Sequence, residues 1–212
     1  SAEGFGSRWH GRPLGSFGNA GCFSFSANKT VTTGQGGMIT TNDAALHDRL
    51  RELKDQGRRQ QGSGGDDLHP VTGFNFKLTN LQAAIGMAQM EKLESRLALA
   101  RDRDNWYRAA LADCPGIVLP EVDTVGGEVL QWTDVLVNDR DALRAAFDAQ
   151  GIGHRAFWFP LHSQAPYLAD ATRFPAATRI SSRGLWLPSA FSLTRAQVER
   201  VAQVMRDTLR NS

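Results

Sequence analysis

Hydrophobic and polar positions divide this chain into short alternating stretches and longer helical ones. Residues 21–26, Gly-Cys-Phe-Ser-Phe-Ser, alternate and predict a strand. Residues 37–40 predict a second short strand, paired closely with the first across a glycine-rich turn, because glycine permits tight backbone approach. A helix is expected next: Asn42 reads as its N-cap and Asp43 as part of its first turn. Leu46, Leu50 and Leu53 recur at helical spacing, and Gly57 stops it. Residues 57–72 are polar and glycine-rich and predict a loop of a length that is usually functional or mobile. Thr79 and Gln82 form a capping-box pattern. From Leu81 to Met90 only Gln82 and Gln89 are polar, so this helix is expected to be buried, in a large core or against a partner subunit. The pattern turns amphipathic through Ala112 and breaks at Cys114-Pro115-Gly116.

The remainder predicts strands over 117–119, 129–137 and 155–159 and a helix over 142–150, with Leu143, Ala146 and Phe147 on one face and Gly151 as its stop. A second capping box, Thr194 and Gln197, opens a terminal amphipathic helix marked by Val198, Val201, Ala202, Met205 and Leu209. Residues 1–20 read as loop. Strands alternating with helices, without internal repeats, give an α/β class.

Composition narrows the function classes. A chain of 212 residues can bury a core and form one or two domains. Its 41% hydrophobic and 22% charged content fits a globular protein. A net charge of +2 gives no electrostatic case for nucleic acid or membrane, and apolar stretches fall short of a membrane span. Cys22 and Cys114 are isolated and suit a reducing cytoplasm; the five histidines show no metal-ligand spacing, so no metal is expected.

The candidate chemistry centres on Lys29, in Phe-Ser-Phe-Ser-Ala-Asn-Lys-Thr-Val-Thr-Thr-Gly-Gln-Gly-Gly-Met, residues 23–38. A lysine at a strand end, walled by aromatics and backed by glycines, is expected to be desolvated. Desolvation penalises the ammonium, lowers its pKa and frees the amine as the nucleophile a Schiff base requires. A phosphate-binding P-loop is excluded because Asn28, not glycine, precedes the lysine. Asn28-Lys29-Thr30 is a glycosylation sequon, expected to go unmodified in the absence of a secretory segment. An ordinary solvated lysine remains the alternative reading of the residue by itself.

The same segment resembles the lysine motif of the DegT/DnrJ/EryC1/StrS family of sugar aminotransferases, with Gln35 where a glutamate is usual. The resemblance continues through residues 15–26, 69–93, 151–167 and 184–194, in order along essentially the whole chain. It implies a pyridoxal phosphate (PLP)-dependent transferase of type I, the aspartate aminotransferase-like fold. Residues 1–95 would then be the remainder of the large PLP-binding domain and residues 96–212 the small C-terminal α/β domain. Lys29 would carry the Schiff base and act as general base and acid. Ser24 would bind the cofactor phosphate, and Glu3 would lie near the cofactor ring. Asn75 would reach the phosphate of a neighbouring subunit, which implies a homodimer with shared active sites. His162, in Phe-Pro-Leu-His, would approach the substrate. Read without the resemblance, these four are a strand serine, a terminal carboxylate, a turn asparagine and a half-buried structural histidine; Trp158 and Tyr167 read as packing.

The implied reaction is amino transfer, with glutamate as donor, to a nucleotide-linked 4-keto-6-deoxyhexose, the motifs lying nearest the perosamine synthase branch with its GDP-linked sugar. Two departures bear on substrate contacts: Ala156 stands where a proline often follows the arginine, and Lys77 where an arginine is usual. The family's pyridine-binding aspartate would fall immediately before Ser1 and its N-terminal half is absent, so the chain is expected to be a segment of a longer polypeptide, or the second of two separate pieces, and to be poorly folded or inactive alone. Two other readings stay open: a non-catalytic regulatory member that binds cofactor or sugar nucleotide, and a sugar dehydratase of the same fold, against which Lys29 argues because that branch carries histidine there. A bland assembly subunit is the remaining possibility.

Overall fold

The computed structural model describes residues 2–59 and 67–210. Within the loop expected over 57–72, residues 60–66 lie outside the described residues. The chain is mixed α/β and divides into two compact units, Ser1–Arg96 with Val125–Val129, and Leu97–Thr124 with Leu130–Ser212.

The first unit opens with a hairpin where a loop is expected. Strand β1 (Arg8–Trp9) pairs antiparallel with β2 (Arg12–Pro13). Its two-residue turn needs left-handed backbone, which His10 (φ 46°) and Gly11 (φ 73°) adopt. Ser7 draws residue 129 into this unit: its hydroxyl donates to the Val129 carbonyl (3.1 Å) and accepts from the Val129 N–H (3.0 Å). Strands β3 (Gly21–Ser24) and β4 (Gly37–Thr40) pair antiparallel, Ser24 opposite Gly37.

Helix α1 (Ala44–Lys54) is capped by Asp43, one residue later than expected. Its carboxylate accepts from the N–H groups of Ala45 (2.9 Å) and Leu46 (3.1 Å), while Thr41 supports Asp43 from the turn before. Helix α2 (Asn80–Met90) has the expected capping box: Thr79 accepts from the Gln82 N–H and Gln82 accepts from the Thr79 N–H. Its expected burial is not found within this chain. No residue of α2 is buried, and Leu81 and Met87 are 74% and 69% exposed. An apolar surround signals that something covers a helix, but not that the cover belongs to the same chain.

The second unit has a closed core. It begins within α3 (Leu93–Leu111) and contains β5 (Ile117–Val118), β6 (Thr133–Val137), α4 (Arg140–Ala149), β7 (Arg155–Ala156), α5 (Pro175–Arg183), β8 (Gly184–Leu187) and α6 (Arg195–Arg210). The strands form one antiparallel sheet in the order β5-β6-β8-β7. Val135, Val137, Leu185 and Leu187 face Leu143 and Phe147 of α4, Val198, Val201, Ala202 and Met205 of α6, and Tyr107 and Leu111 of α3. Sheet β6 starts four residues later than expected, at Thr133, and the expected strand over 155–159 is only two residues long. Both α5 and the buried β8 were not evident from periodicity. Pro175 looks like a breaker but occupies the first turn of α5, where its missing N–H costs nothing.

Buried Arg103 ties the unit's loops together by donating to the carbonyls of Ser189, Leu130 and Gln131. Tyr107 donates to the Pro188 carbonyl beside it (3.0 Å).

Candidate active site

Lys29 lies on a loop whose two ends are stitched together by Phe25. The Phe25 N–H donates to the Gly36 carbonyl (2.9 Å), and the Phe25 carbonyl accepts from the Thr33 N–H (3.0 Å). Between these points Thr30, Val31 and Thr33 are buried, so the loop has its own small interior. Gly36 is required at the return: its φ is 151°, and a Cβ there would meet the Thr33 hydroxyl at 2.7 Å and Leu78 at 2.8 Å. The helices that follow hold the loop from outside. Gln82 donates to the Gln35 carbonyl (3.0 Å), and Arg96 donates to the Thr30 carbonyl (2.7 Å). A backbone bond from the Lys29 N–H to the Ser26 carbonyl (3.1 Å) fixes the turn on which the lysine stands.

The Lys29 side chain is 11% exposed, and its amine donates to Glu3 Oε1 at 3.0 Å. The contact joins residues 26 positions apart. It is set up by Phe5, whose ring meets Phe23 edge-on at 5.3 Å and Phe25 at 6.4 Å, carrying the Glu3 segment to the strand. The expected desolvation of the side chain is thus accompanied by a carboxylate at the amine. Ser24, at the end of β3, is half-buried and shares a hydrogen bond with the Ser26 hydroxyl (3.1 Å); the Ser26 N–H also points at Ser24 Oγ (3.4 Å). Ser26 was missed as a candidate, although Phe-Ser-Phe-Ser places both hydroxyls on one side of the strand.

Asn75 is not joined to this group. It forms an isolated bridge with Asp55 at the end of α1, and its exposed side chain makes no hydrogen bond with a described residue. Its segment is pinned by Asp55, which is buried and paired with Lys77 (2.6 Å) and Arg58 (2.9 Å). The hydrogen bond from Lys77 holds the Asp55 carboxyl below its ordinary value, against the raising effect of burial and with support from Arg58. His162 belongs to the second unit. It is 9% exposed, its ring stacks on Phe174 (4.8 Å, 13°), and Nε2 shares a hydrogen bond with the Thr178 hydroxyl (3.2 Å). Among the described residues no group of three or more His, Cys, Asp or Glu is placed to hold a metal, and no helix is long and apolar enough to cross a membrane.

An amine can condense with an aldehyde and two adjacent hydroxyls can donate to a phosphate, while the Glu3 carboxylate holds the amine. The model of the DegT/DnrJ/EryC1/StrS aminotransferase family matches residues 1–206. The chain belongs to this family. A GDP-perosamine synthase of Caulobacter vibrioides is 36% identical over 216 residues, covering 99% of this chain and 57% of the relative. Among solved structures, Streptomyces venezuelae DesV in complex with a ketimine intermediate superposes with a TM-score of 0.89 at 30% identity, over 97% of this chain and 56% of that one. Streptococcus pneumoniae Spr1654, solved in its PLP form, shares the fold with a TM-score of 0.88 at 22% identity, over all of this chain and 57% of the other. The chain therefore has the aminotransferase fold of a family that uses PLP, and it spans about half the length of the relatives it matches.

Proposed function

We propose that the chain forms part of a PLP-dependent aminotransferase that converts a nucleotide-linked 4-keto-6-deoxyhexose to the amino sugar, with glutamate as amino donor. The observation that carries this reading is Lys29: a nearly enclosed side chain on a loop pinned at Phe25, Gln82 and Arg96, its amine held by Glu3. Similarity to GDP-perosamine synthase supports a GDP-linked sugar. When bound, PLP supplies an electron-withdrawing ring that stabilises the charge left on a carbon that has lost its proton.

The residues divide the work as follows. Lys29 Nζ would hold the cofactor's aldehyde and would be the atom that takes up and returns the proton. Glu3 fixes Nζ and accepts its hydrogen bond. Ser24, with Ser26 beside it, donates to the phosphate. Asn75 reaches a neighbouring subunit's phosphate, which makes the active protein a homodimer with shared sites, and His162 helps to seat the substrate. Residues 1–95 then belong to the large domain and 96–212 to the small one, in a cytoplasmic enzyme.

The test is the absorption spectrum of the full-length protein with PLP, wild type against Lys29→Ala. A visible band, absent from the variant and bleached by glutamate, is expected. A folded wild-type protein with no such band overturns the reading and leaves a binding or regulatory member in its place.

A further inference from the structure

The side of α2 turned away from solvent is polar and small. Gln82, Gly86 and Gln89 recur at spacings of four and three residues, so they lie along one side of the helix, and all three are half-buried. Gln82 Nε2 donates to the Gln35 carbonyl at 3.0 Å, while its Oε1 caps the helix by accepting from the Thr79 N–H. Gly86 lies so near the loop that a Cβ on it would stand 3.0 Å from the Thr33 methyl. Gln89 Oε1 accepts from Arg96 Nη1, and the same nitrogen donates to the Thr30 carbonyl at 2.7 Å. Arg96 lies seven residues beyond Gln89, past the turn at 91–92, and is half-buried as well. The two sides of Lys29 are therefore held differently. Before it, its own N–H returns to the Ser26 carbonyl at 3.1 Å, a local bond that travels with the turn. After it, the hold comes from Arg96, 66 positions away, which ties residue 30 to the helices.

We propose that Arg96 is a positioning residue: through the Thr30 carbonyl it sets where Lys29 Nζ stands relative to the Ser24 hydroxyl. The proposal rests on the reading of Lys29 and Ser24 above and deepens it with a residue that acts through the loop rather than by touching the cofactor. A ligand held at both ends, its aldehyde by an amine and its phosphate by a hydroxyl, binds well only where the separation of the two holds matches its own length. The local bond at Ser26 does not set that separation, because it moves with the turn. Arg96 does. Its guanidinium is planar and always charged, Gln89 holds it in place, and a charged donor makes the stronger hydrogen bond to a carbonyl. Ser24 stands on β3, opposite Gly37 of β4, in a register that does not involve Arg96. Loss of the guanidinium thus frees the amine end of the site and leaves the hydroxyl end where it is.

The test is equilibrium binding of two probes to the full-length protein, followed by calorimetry and absorption. PLP offers both an aldehyde and a phosphate. Pyridoxine 5′-phosphate carries an alcohol in place of the aldehyde, so it forms no bond to the amine and reports on the phosphate end alone. Arg96→Met keeps the stem and deletes the donors. It is expected to weaken PLP by about 10- to 100-fold and to leave pyridoxine 5′-phosphate within about 2-fold of wild type. If melting shows that Arg96→Met does not fold, Arg96→Lys takes its place. It keeps the charge but loses the planar fork between Gln89 and Thr30, and the expected loss for PLP is about 5-fold. Wild-type PLP affinity in the folded variant overturns the proposal. Equal weakening of both probes also overturns it, because a residue that only supports the unit would loosen both ends of the site together. Lys29→Ala separates this proposal from the reading beneath it. PLP binding that depends on Lys29 but not on Arg96 removes only the positioning role. A wild type that binds both probes alike, with no change in Lys29→Ala, removes the reading of Lys29 and the proposal with it.

Discussion

The two units handle their apolar residues in opposite ways. In the second, four strands and three helices enclose a core in which Phe147, Leu143, Leu185, Val198 and Met205 are fully buried. In the first, which carries Lys29, Glu3 and Ser24, the buried apolar residues are Phe25, Val31 and Val129, while the apolar side chains of α2 and the stacked pair Phe74 and Phe76 stand in solvent. Burial is what stabilises a unit, at roughly 1.5–3 kcal/mol for each large side chain enclosed. The second unit is therefore built to hold itself together. The first orders the loop around Lys29, and the apolar side chains of its α2 stay in solvent within this chain.

The sharpest way to break that contrast is inside the second core. Phe147→Ala should remove about 3–5 kcal/mol, the cost of losing an aromatic ring from a site with no exposure to relax into. Hydrogen exchange of the β6 and β8 amides would read it. A loss below 1 kcal/mol would mean that this core is not close-packed. Arg103 gives the next largest effect. Burial lowers its pKa, yet its planar fork serves three loop carbonyls at once. Arg103→Met keeps the stem and deletes the donors, and about 3 kcal/mol should be lost as those carbonyls go unpaired. The same amides would show it.

These two residues also show what the sequence could and could not reveal. Phe147 is legible because it recurs with Leu143 on one helical face. Arg103 is not: in a stretch dense with charges it reads as one more solvated cation, since nothing local distinguishes a charge that turns inward. The capping boxes at Thr79 and Thr194 are legible because each is completed within three residues. The Lys29–Glu3 pair is half legible. Each residue stands out, through the resemblance, for a contact with a cofactor, but only the fold brings them within 3.0 Å of each other. Short strand β8 escapes because four consecutive apolar residues carry no period, and the β1–β2 hairpin escapes because its turn uses a histidine in left-handed backbone.

A milder comparison uses one motif in both units. Thr194→Ala and Thr79→Ala each delete an N-cap acceptor and should cost about 1 kcal/mol. On α6, whose inner face is buried, the loss should appear in opening of the whole second core. On α2, which buries no residue, it should appear as fraying of the first turn only. Exchange rates along the two helices would separate these outcomes, and equal spreading through both units would erase the contrast drawn above.

Acid should act on the first unit through Asp55. Its folded pKa is depressed, so the carboxylate stabilises the folded form above the ordinary value of 3.8, and that contribution is lost as pH falls through the lower, folded value. The difference in unfolding free energy between wild type and Asp55→Asn should be steady from pH 7 to about 5 and shrink progressively below the ordinary carboxylate range. A difference that grows toward acid would contradict the ion pairs with Lys77 and Arg58.

The smallest effect should come from α2. Leu81 is 74% exposed, so Leu81→Ser removes little contact and should change the stability of this chain by no more than about 0.5 kcal/mol. The same substitution in the proposed full-length homodimer, where the sequence pattern of α2 leads us to expect a partner subunit against it, should cost several times more and weaken association. Denaturant unfolding of the chain and sedimentation of the full-length protein would give the two numbers. Agreement between them would mean that the apolar face of α2 stays in solvent in the assembled protein as well, and the reason for its composition would have to be sought elsewhere than in an interface.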